Sequence, residues 1–209
     1  SNFDVIPRVI RGIPVLMGTE LNILDHTGRV DLEDHYLQKI DYAIASLHTP
    51  CIDNPGTVSD YTNAYLGVME NPLIHIIGHP DDSRLPADWT AVAAAAAKHH
   101  KLLELNSHSL APNSSRKGAR ENYEQLLTAC MRYGTSIIID SDAHCENDVG
   151  NHEMAHRLLA DLHFPEELVV NTSLSKAAAF IPSLDRLLKE EPELFYNALS
   201  HPQGGNNRT

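Results

Sequence analysis

The sequence predicts an α/β protein built on parallel strands. Apolar runs of strand length alternate with stretches of helical periodicity along most of the chain. The connections between the runs exceed ten residues, which suits crossovers and not hairpins. Each of the main runs also leads into a polar or ligand-type side chain: IPVLMGTE into Glu20, YAIASLH into His48, LIHIIGH into His79, LLELN into Asn106, and SIIID into Asp140, Asp142 and His144. If the strands are parallel, these ends meet on one face, where α/β sheets and barrels assemble their sites.

Taken in order, Asn2–Gly12 reads as a brief helix stopped by Gly12. Ile13–Glu20 is the first strand. Asn22–Arg29 is a turn region, with Asp25, His26 and Gly28 supplying the turn chemistry. Leu32, Tyr36, Leu37 and Ile40 fall near helical spacing behind an N-cap at Asp31. Tyr42–His48 is the second strand. Pro50, Pro55 and Gly56 make the next segment a loop, and Thr57 or Ser59 starts a helix that Asn71–Pro72 breaks. Leu73–His79 is the third strand. Asp88 caps an alanine-rich helix over Trp89–His100. Leu102–Asn106 is the fourth strand, and Ser107–Gly118 is a long polar loop. Ala119–Tyr133 is a helix with Leu126, Leu127 and Met131 inward, ended by Gly134. Ser136–Ile139 is the fifth strand; its unbroken Ile137–Ile139 run suits a strand buried on both faces. Glu146–Asp161 is helical around a break at Gly150. Leu168–Asn171 reads as a short sixth strand. Ser173 or Ser175 caps a helix to Ile181 that Pro182 ends, and Ser183–Glu190 is a final helix. The closing HPQGGNNRT carries no core signal and is expected to be disordered.

Composition narrows the function. The chain has 209 residues and 42% hydrophobic residues, enough for one domain with a sizeable core. No run approaches the ~20 apolar residues of a membrane span, and no signal peptide is visible. The three cysteines, Cys51, Cys130 and Cys145, are widely spaced and read as reduced thiols in a cytoplasmic protein. A net charge of −12 disfavours nucleic acid and anionic membranes as partners. It leaves room for a small phosphorylated substrate, because bound metal reverses the local field. The chain has no GxGxxG, GxxxxGK[ST] or GxSxG motif, so nucleotide-fold and serine-hydrolase readings lose support.

Glu20, His48, His79, Asp142 and His144 form the candidate metal set. Such groups at buried strand ends are costly unless paired, and a divalent cation is the simplest partner. Carboxylate and imidazole suit Zn, Mn or Fe. A bridging carboxylate can hold two ions about 3.5–4 Å apart that activate water and clamp a phosphoryl group. Glu20 and Asp142, which would position and charge-balance the metals, are the candidate catalytic pair. Arg116 and Lys117, after Ser114–Ser115, are candidate phosphate binders, or else solvated charges at a helix entry. His75 lies four residues before His79 and on the same strand face, which suits an interior hydrogen-bonded histidine. His108 sits in the long loop, and Cys145 reads as an inert thiol.

The motifs GTE at 18–20, SLH at 46–48, GHP at 78–80, LELN at 103–106, SRKG at 115–118 and SDAH at 141–144 resemble, in order and approximate spacing, the polymerase and histidinol phosphatase (PHP) family. Within it the chain looks most like the bacterial YcdX-type phosphatases. The resemblance covers about Asn2–Ile181. It implies a distorted (βα)7 barrel with a trinuclear centre, usually Zn. It matches Glu20 to a bridging carboxylate, His48 and His79 to ligands of one of the bridged metals, Asp142 to its partner metal and His144 to a third. Arg116 and Lys117 match a basic loop near the pocket. The family also opens with an HxH motif and two further histidine ligands that have no counterpart here. On that reading the barrel is incomplete at its first strands. Residues 1–190 supply five to six βα units, and 191–209 form a tail. The Glu20/His48/His79 site keeps its ligands, the partner metal keeps Glu20 and Asp142, and the third keeps His144 alone, so fewer than three ions are expected. An open strand edge would need covering, for which a homo-oligomer is one means.

The function implied is hydrolysis of a small phosphate ester by metal-activated water. Two alternatives stand beside it. An amidohydrolase-like barrel shares the strand-end logic but wants a bridging lysine or an HxH start. A truncated or degenerate PHP protein, without catalysis, would act by binding or as a structural protein.

Overall fold

The computed structural model describes residues 7–52 and 55–195. It opens with a hairpin of β1 (Val9–Ile10) and β2 (Ile13–Pro14). Arg11 and Gly12 both have positive φ, 52° and 80°, the signature of the two-residue turns that match strand twist. Gly12 therefore turns a hairpin and does not stop a helix. The start of that expected helix, 1–6, lies outside the described residues.

The centre is a five-stranded parallel sheet: β3 (Gly18–Asn22), β4 (Tyr42–Ser46), β5 (Ile76–Gly78), β6 (Leu102–Asn106) and β7 (Ile137–Asp140). The strands lie in sequence order, β3-β4-β5-β6-β7. When parallel neighbours follow one another in a single direction, right-handed crossovers place their helices on one face. Those helices are α1 (Asp34–Leu37), α2 (Val58–Met69), α3 (Trp89–His99), α4 (Ala119–Tyr133) and α5 (Glu153–Asp161). Leu21, Ala43, Ala45, Ile77, Leu103, Leu105, Ile137 and Ile139 point toward them and share one core with Tyr65, Val92, Tyr123, Leu126 and Leu158. This is an α/β sheet flanked by helices, compatible with a barrel-like fold.

The opposite face is different in character. Ile76, Leu102 and Val170 form a small apolar cluster there, with Tyr42, Ile44 and Ile138 partly buried against it. Helices α6 (Leu174–Ala178) and α7 (Pro182–Glu190) close one side of that face through Ala178, Ile181, Leu184 and Leu187. Phe195 packs with them, so the described start of the 191–209 tail is held in place. Residues 196–209 lie outside the described residues.

Several boundaries differ from expectation for local reasons. α2 starts at Thr57, where a reciprocal Thr57–Asp60 capping box decides between the two candidate caps. Asp31 caps no helix; its carboxylate accepts from the Asn22 backbone N–H at 3.0 Å and from its side-chain amide at 2.6 Å, tying down the end of β3. Pro182 begins α7 at its first turn, where a missing N–H costs nothing. The expected sixth strand is a single parallel bridge, Ile137 to Val169, between two 3₁₀ turns. The Asn171 side chain takes the remaining places on β7: it accepts from the Ile139 N–H at 2.7 Å and donates to the Ile139 carbonyl at 2.9 Å. Among the described residues, no helix is long and apolar enough to cross a membrane.

Candidate metal centre

All five strands run the same way, so their carboxyl ends share one edge, and side chains alternate between the two faces. On the face away from α2–α5 stand Glu20, Asn22, Ser46, Gly78, Glu104, Asn106 and Asp140. Glu20 is mid-strand, since β3 continues to Asn22, and it sits beside Ile44 in register. His48 follows β4 by two residues. His79 directly follows β5, and Asp142 follows β7 by two.

Glu20, His48 and His79 come together, with ligand atoms all within 4.8 Å of one another. Glu20 Oε1 lies 2.8 Å from His79 Nε2 and 3.5 Å from His48 Nε2. The two rings are 5.0 Å apart, centroid to centroid. His48 Nδ1 is 2.8 Å from Asn22 Oδ1, which accepts its proton and leaves Nε2 with the lone pair a metal needs. The hydrogen bond from His79 outweighs burial and holds the Glu20 carboxyl down to about 2, so it is ionised at neutral pH. Burial, then the neighbouring His79, lowers the His48 pKa and keeps its ring neutral. One anionic oxygen faced by two imidazole nitrogens is a donor set that fits a divalent cation.

Gly78 makes room for this arrangement. A Cβ there would come within 2.1 Å of Ser46 Oγ and 2.8 Å of Ile44 Cγ2. Gly78→Val is expected to destabilise the chain by about 1–3 kcal/mol through overpacking. Denaturant melts would check it, and an unchanged midpoint would mean the inner layer is loosely packed.

Asp142 lines the same cavity of about 470 Å³ as Glu20, His79, Glu104 and Asp140, but stands outside the three-residue cluster. Its Oδ2 accepts from Asn106 Nδ2 at 3.0 Å. His144 is turned outward, its side chain 79% exposed, with Nδ1 2.8 Å from the Asp142 carbonyl. Arg116 is largely buried and lines a second cavity of about 410 Å³ with Asn22, His48, Asp82, Arg84 and Ser115. Its guanidinium is 4.0 Å from both Asp81 and Asp82. Lys117 is exposed and is not among the residues lining that cavity. His75, as its position suggests, is interior: its Nδ1 accepts from the Ala43 N–H at 3.1 Å, and burial lowers its pKa to about 4.

The candidate set omits two acids of the inner wall, Glu104 and Asp140. Glu104 was hidden inside LLELN, where an alternating strand pattern alone marks it as inward. Burial pushes Glu104 well above the usual carboxylate range, with Asp140 adding repulsion. Burial and then Asp142 raise Asp140 to about 6. This has a consequence for the metal-free chain. Asp140 binds its proton more tightly folded than unfolded, so stability falls as pH rises from 3.8 through about 6. Glu20 acts oppositely: its contribution is present above 4.5 and is lost as pH falls toward about 2. From these two groups, thermal melts in chelator are expected to peak where the windows overlap, between pH 3.8 and 4.5. A melting temperature that climbs steadily to pH 8 would contradict this.

No family model matches the chain. Relatives match over most of its length. It is 41% identical over 180 residues to a protein of Caldicellulosiruptor bescii named "Probable phosphatase", covering 86% of this chain and 73% of that protein. A "Probable phosphatase" of Acetivibrio thermocellus is 37% identical over 181 residues, covering 87% and 73%. One from Caldicellulosiruptor saccharolyticus is 40% identical over 180 residues, covering 86% and 74%. Identity at this level, across most of both partners, reflects common descent and a shared fold. The chain belongs to the family that these probable phosphatases form.

Proposed function

We propose that the chain is a metal-dependent phosphoric ester hydrolase of the PHP type, acting in the cytoplasm on a small phosphorylated substrate. The observation that carries this is the Glu20–His48–His79 cluster, which joins an acid within β3 to histidines just past the carboxyl ends of β4 and β5. The relatives' shared name, probable phosphatase, supports the reaction class and does not favour the non-catalytic alternative.

Glu20, His48 and His79 would hold one divalent ion, with Zn the first choice and Mn or Fe also suited to the donors. Such an ion activates water at neutral pH and neutralises charge on a phosphoryl oxygen. The chain's own residues supply the rest. Glu20 contributes a carboxylate that stays ionised, and Asn22 fixes the His48 tautomer. Asp142 adds a second carboxylate to the same cavity. Arg116, beside His48, would orient the phosphate through its planar donor fork. His144 is exposed and stands apart, so it would hold an ion only weakly.

Metal analysis together with hydrolysis of an aryl phosphate tests the reading. The expected result is stoichiometric Zn, Mn or Fe and turnover abolished by chelator. Turnover untouched by exhaustive chelation would overturn it. Arg116→Ala is expected to raise KM about 10–100-fold, the worth of a charge-assisted contact, while Lys117→Ala has a smaller effect. Equal effects from the two would remove Arg116 from its assigned role.

A further inference from the structure

Strand β6 contributes no residue to the metal cluster, yet it touches the site twice. Its two inward polar side chains reach to opposite neighbours. Glu104 Oε2 accepts the backbone N–H of His79, beyond β5. Asn106 Nδ2 donates to Asp142 Oδ2, beyond β7, at 3.0 Å. Both are buried, Glu104 at 6% exposure and Asn106 at 0%.

The two residues so held share an unusual backbone. His79 has φ 27° and Asp142 φ 48°. Three other non-glycine residues among those described have positive φ: Arg11, His100 and His163. Arg11 lies in the β1–β2 turn. His100 and His163 follow α3 and α5, where a left-handed residue is an ordinary way to end a helix. His79 and Asp142 have no such excuse. A strained φ persists only where its surroundings impose it.

We propose that Glu104 and Asn106 are positioning residues: β6 is a backing strand that holds the left-handed backbone of His79 and the carboxylate of Asp142, and so aims both side chains into the site. Released from Glu104, the His79 backbone relaxes toward extended φ, and Nε2 swings away from Glu20 Oε1, now 2.8 Å distant. A carboxylate facing Glu20, Asp140 and Asp142 across one cavity is a poor choice for stability alone. As an acceptor for one strained N–H, it has a use. Asn106 is itself fixed: its Oδ1 accepts from Ser109 N–H, and its N–H reaches Tyr123 Oη, both at 3.0 Å.

The inference rests on the metal reading above, and the test separates the two. Zn²⁺ and Co²⁺ are titrated into the wild-type chain, Glu104→Met, Glu104→Gln and Asn106→Asp, with metal-free melting temperatures measured in parallel. Glu104→Met removes the acceptor and is expected to weaken metal binding about 10–100-fold, as losing a residue that orients a ligand does, while the metal-free melting temperature holds or rises. Glu104→Gln keeps a carbonyl for the His79 N–H and is expected to recover most of the affinity. Asn106→Asp keeps the acceptor for Ser109 but loses the donor to Asp142, and is expected to alter the Co²⁺ absorption spectrum. Wild-type affinity in Glu104→Met, or a loss matched by a fall in metal-free stability, would overturn the role of Glu104. An unchanged Co²⁺ spectrum would do the same for Asn106. A wild-type chain that takes up neither ion fails the metal reading itself, and the positioning role falls with it.

Discussion

His79→Ala and Glu20→Ala are each expected to lower kcat/KM for an aryl phosphate on the order of 10³-fold or more, with metal content falling and the fold retained. The size follows from the geometry. The cluster has three donors, and a metal left with two is held poorly. Among the described residues Glu20 is the one anion within hydrogen-bonding distance of either imidazole, so its loss removes both a ligand and the neutralising charge. The fold survives because neither side chain belongs to the helix-facing core: Glu20 is 43% exposed and His79 lies at a strand end. The double variant is expected to be little worse than either single one, since the residues act as a unit. His144→Ala, outside the cluster, is expected to lose less. Metal analysis, circular dichroism and steady-state kinetics on the same preparations check all four variants. Full turnover in both single variants would sink the metal-hydrolase reading.

Leu105→Ala is expected to cost about 3 kcal/mol, lowering the melting temperature by roughly 6–12 °C for a chain of this size. Leu105 is wholly buried on the helix side of the interior strand β6, where a void has no easy way to collapse. Ile138→Ala removes the same number of carbons but is expected to cost only about 1 kcal/mol. Ile138 lines the 470 Å³ cavity and is partly exposed, so it makes fewer contacts to lose. The contrast tests which face of the sheet carries the stability. Equal losses would mean that the inner face is packed as tightly as the outer.

Much of this architecture is legible in the sequence, and the exceptions have physical causes. Leu102–Asn106 and Ala119–Tyr133 are found as read, because a compact apolar run and a long amphipathic helix with glycine at its end are strong local signals. Val9–Pro14 misled because a two-residue turn and a helix stop both use glycine. Leu168–Asn171 has strand composition, but a side-chain amide occupies the backbone positions a strand would use, and composition does not show that. At the site, Glu20, His48 and His79 were readable as ligand-type residues ending apolar runs. His144 was too, yet the structure turns it outward. Glu104 was missed because its role is to hold a neighbour's backbone, and that relation exists only once β5 and β6 are paired.

The amide of Asn171 has a wider consequence. A foreign strand can be recruited only where a row of backbone donors and acceptors stands free. At β7 Asn171 and Val169 occupy that row. Among the described residues, no strand flanks β3 on its far side. Within the described residues the sheet thus keeps one partly open edge, along β3 ahead of Asn22, whose N–H Asp31 takes. Two copies of the described sheet joined β3 to β3 would have no second open edge to offer, so strand addition through that edge alone would end in a pair. Stacking without limit, the route to a fibril, requires β7 to shed its amide clamp first.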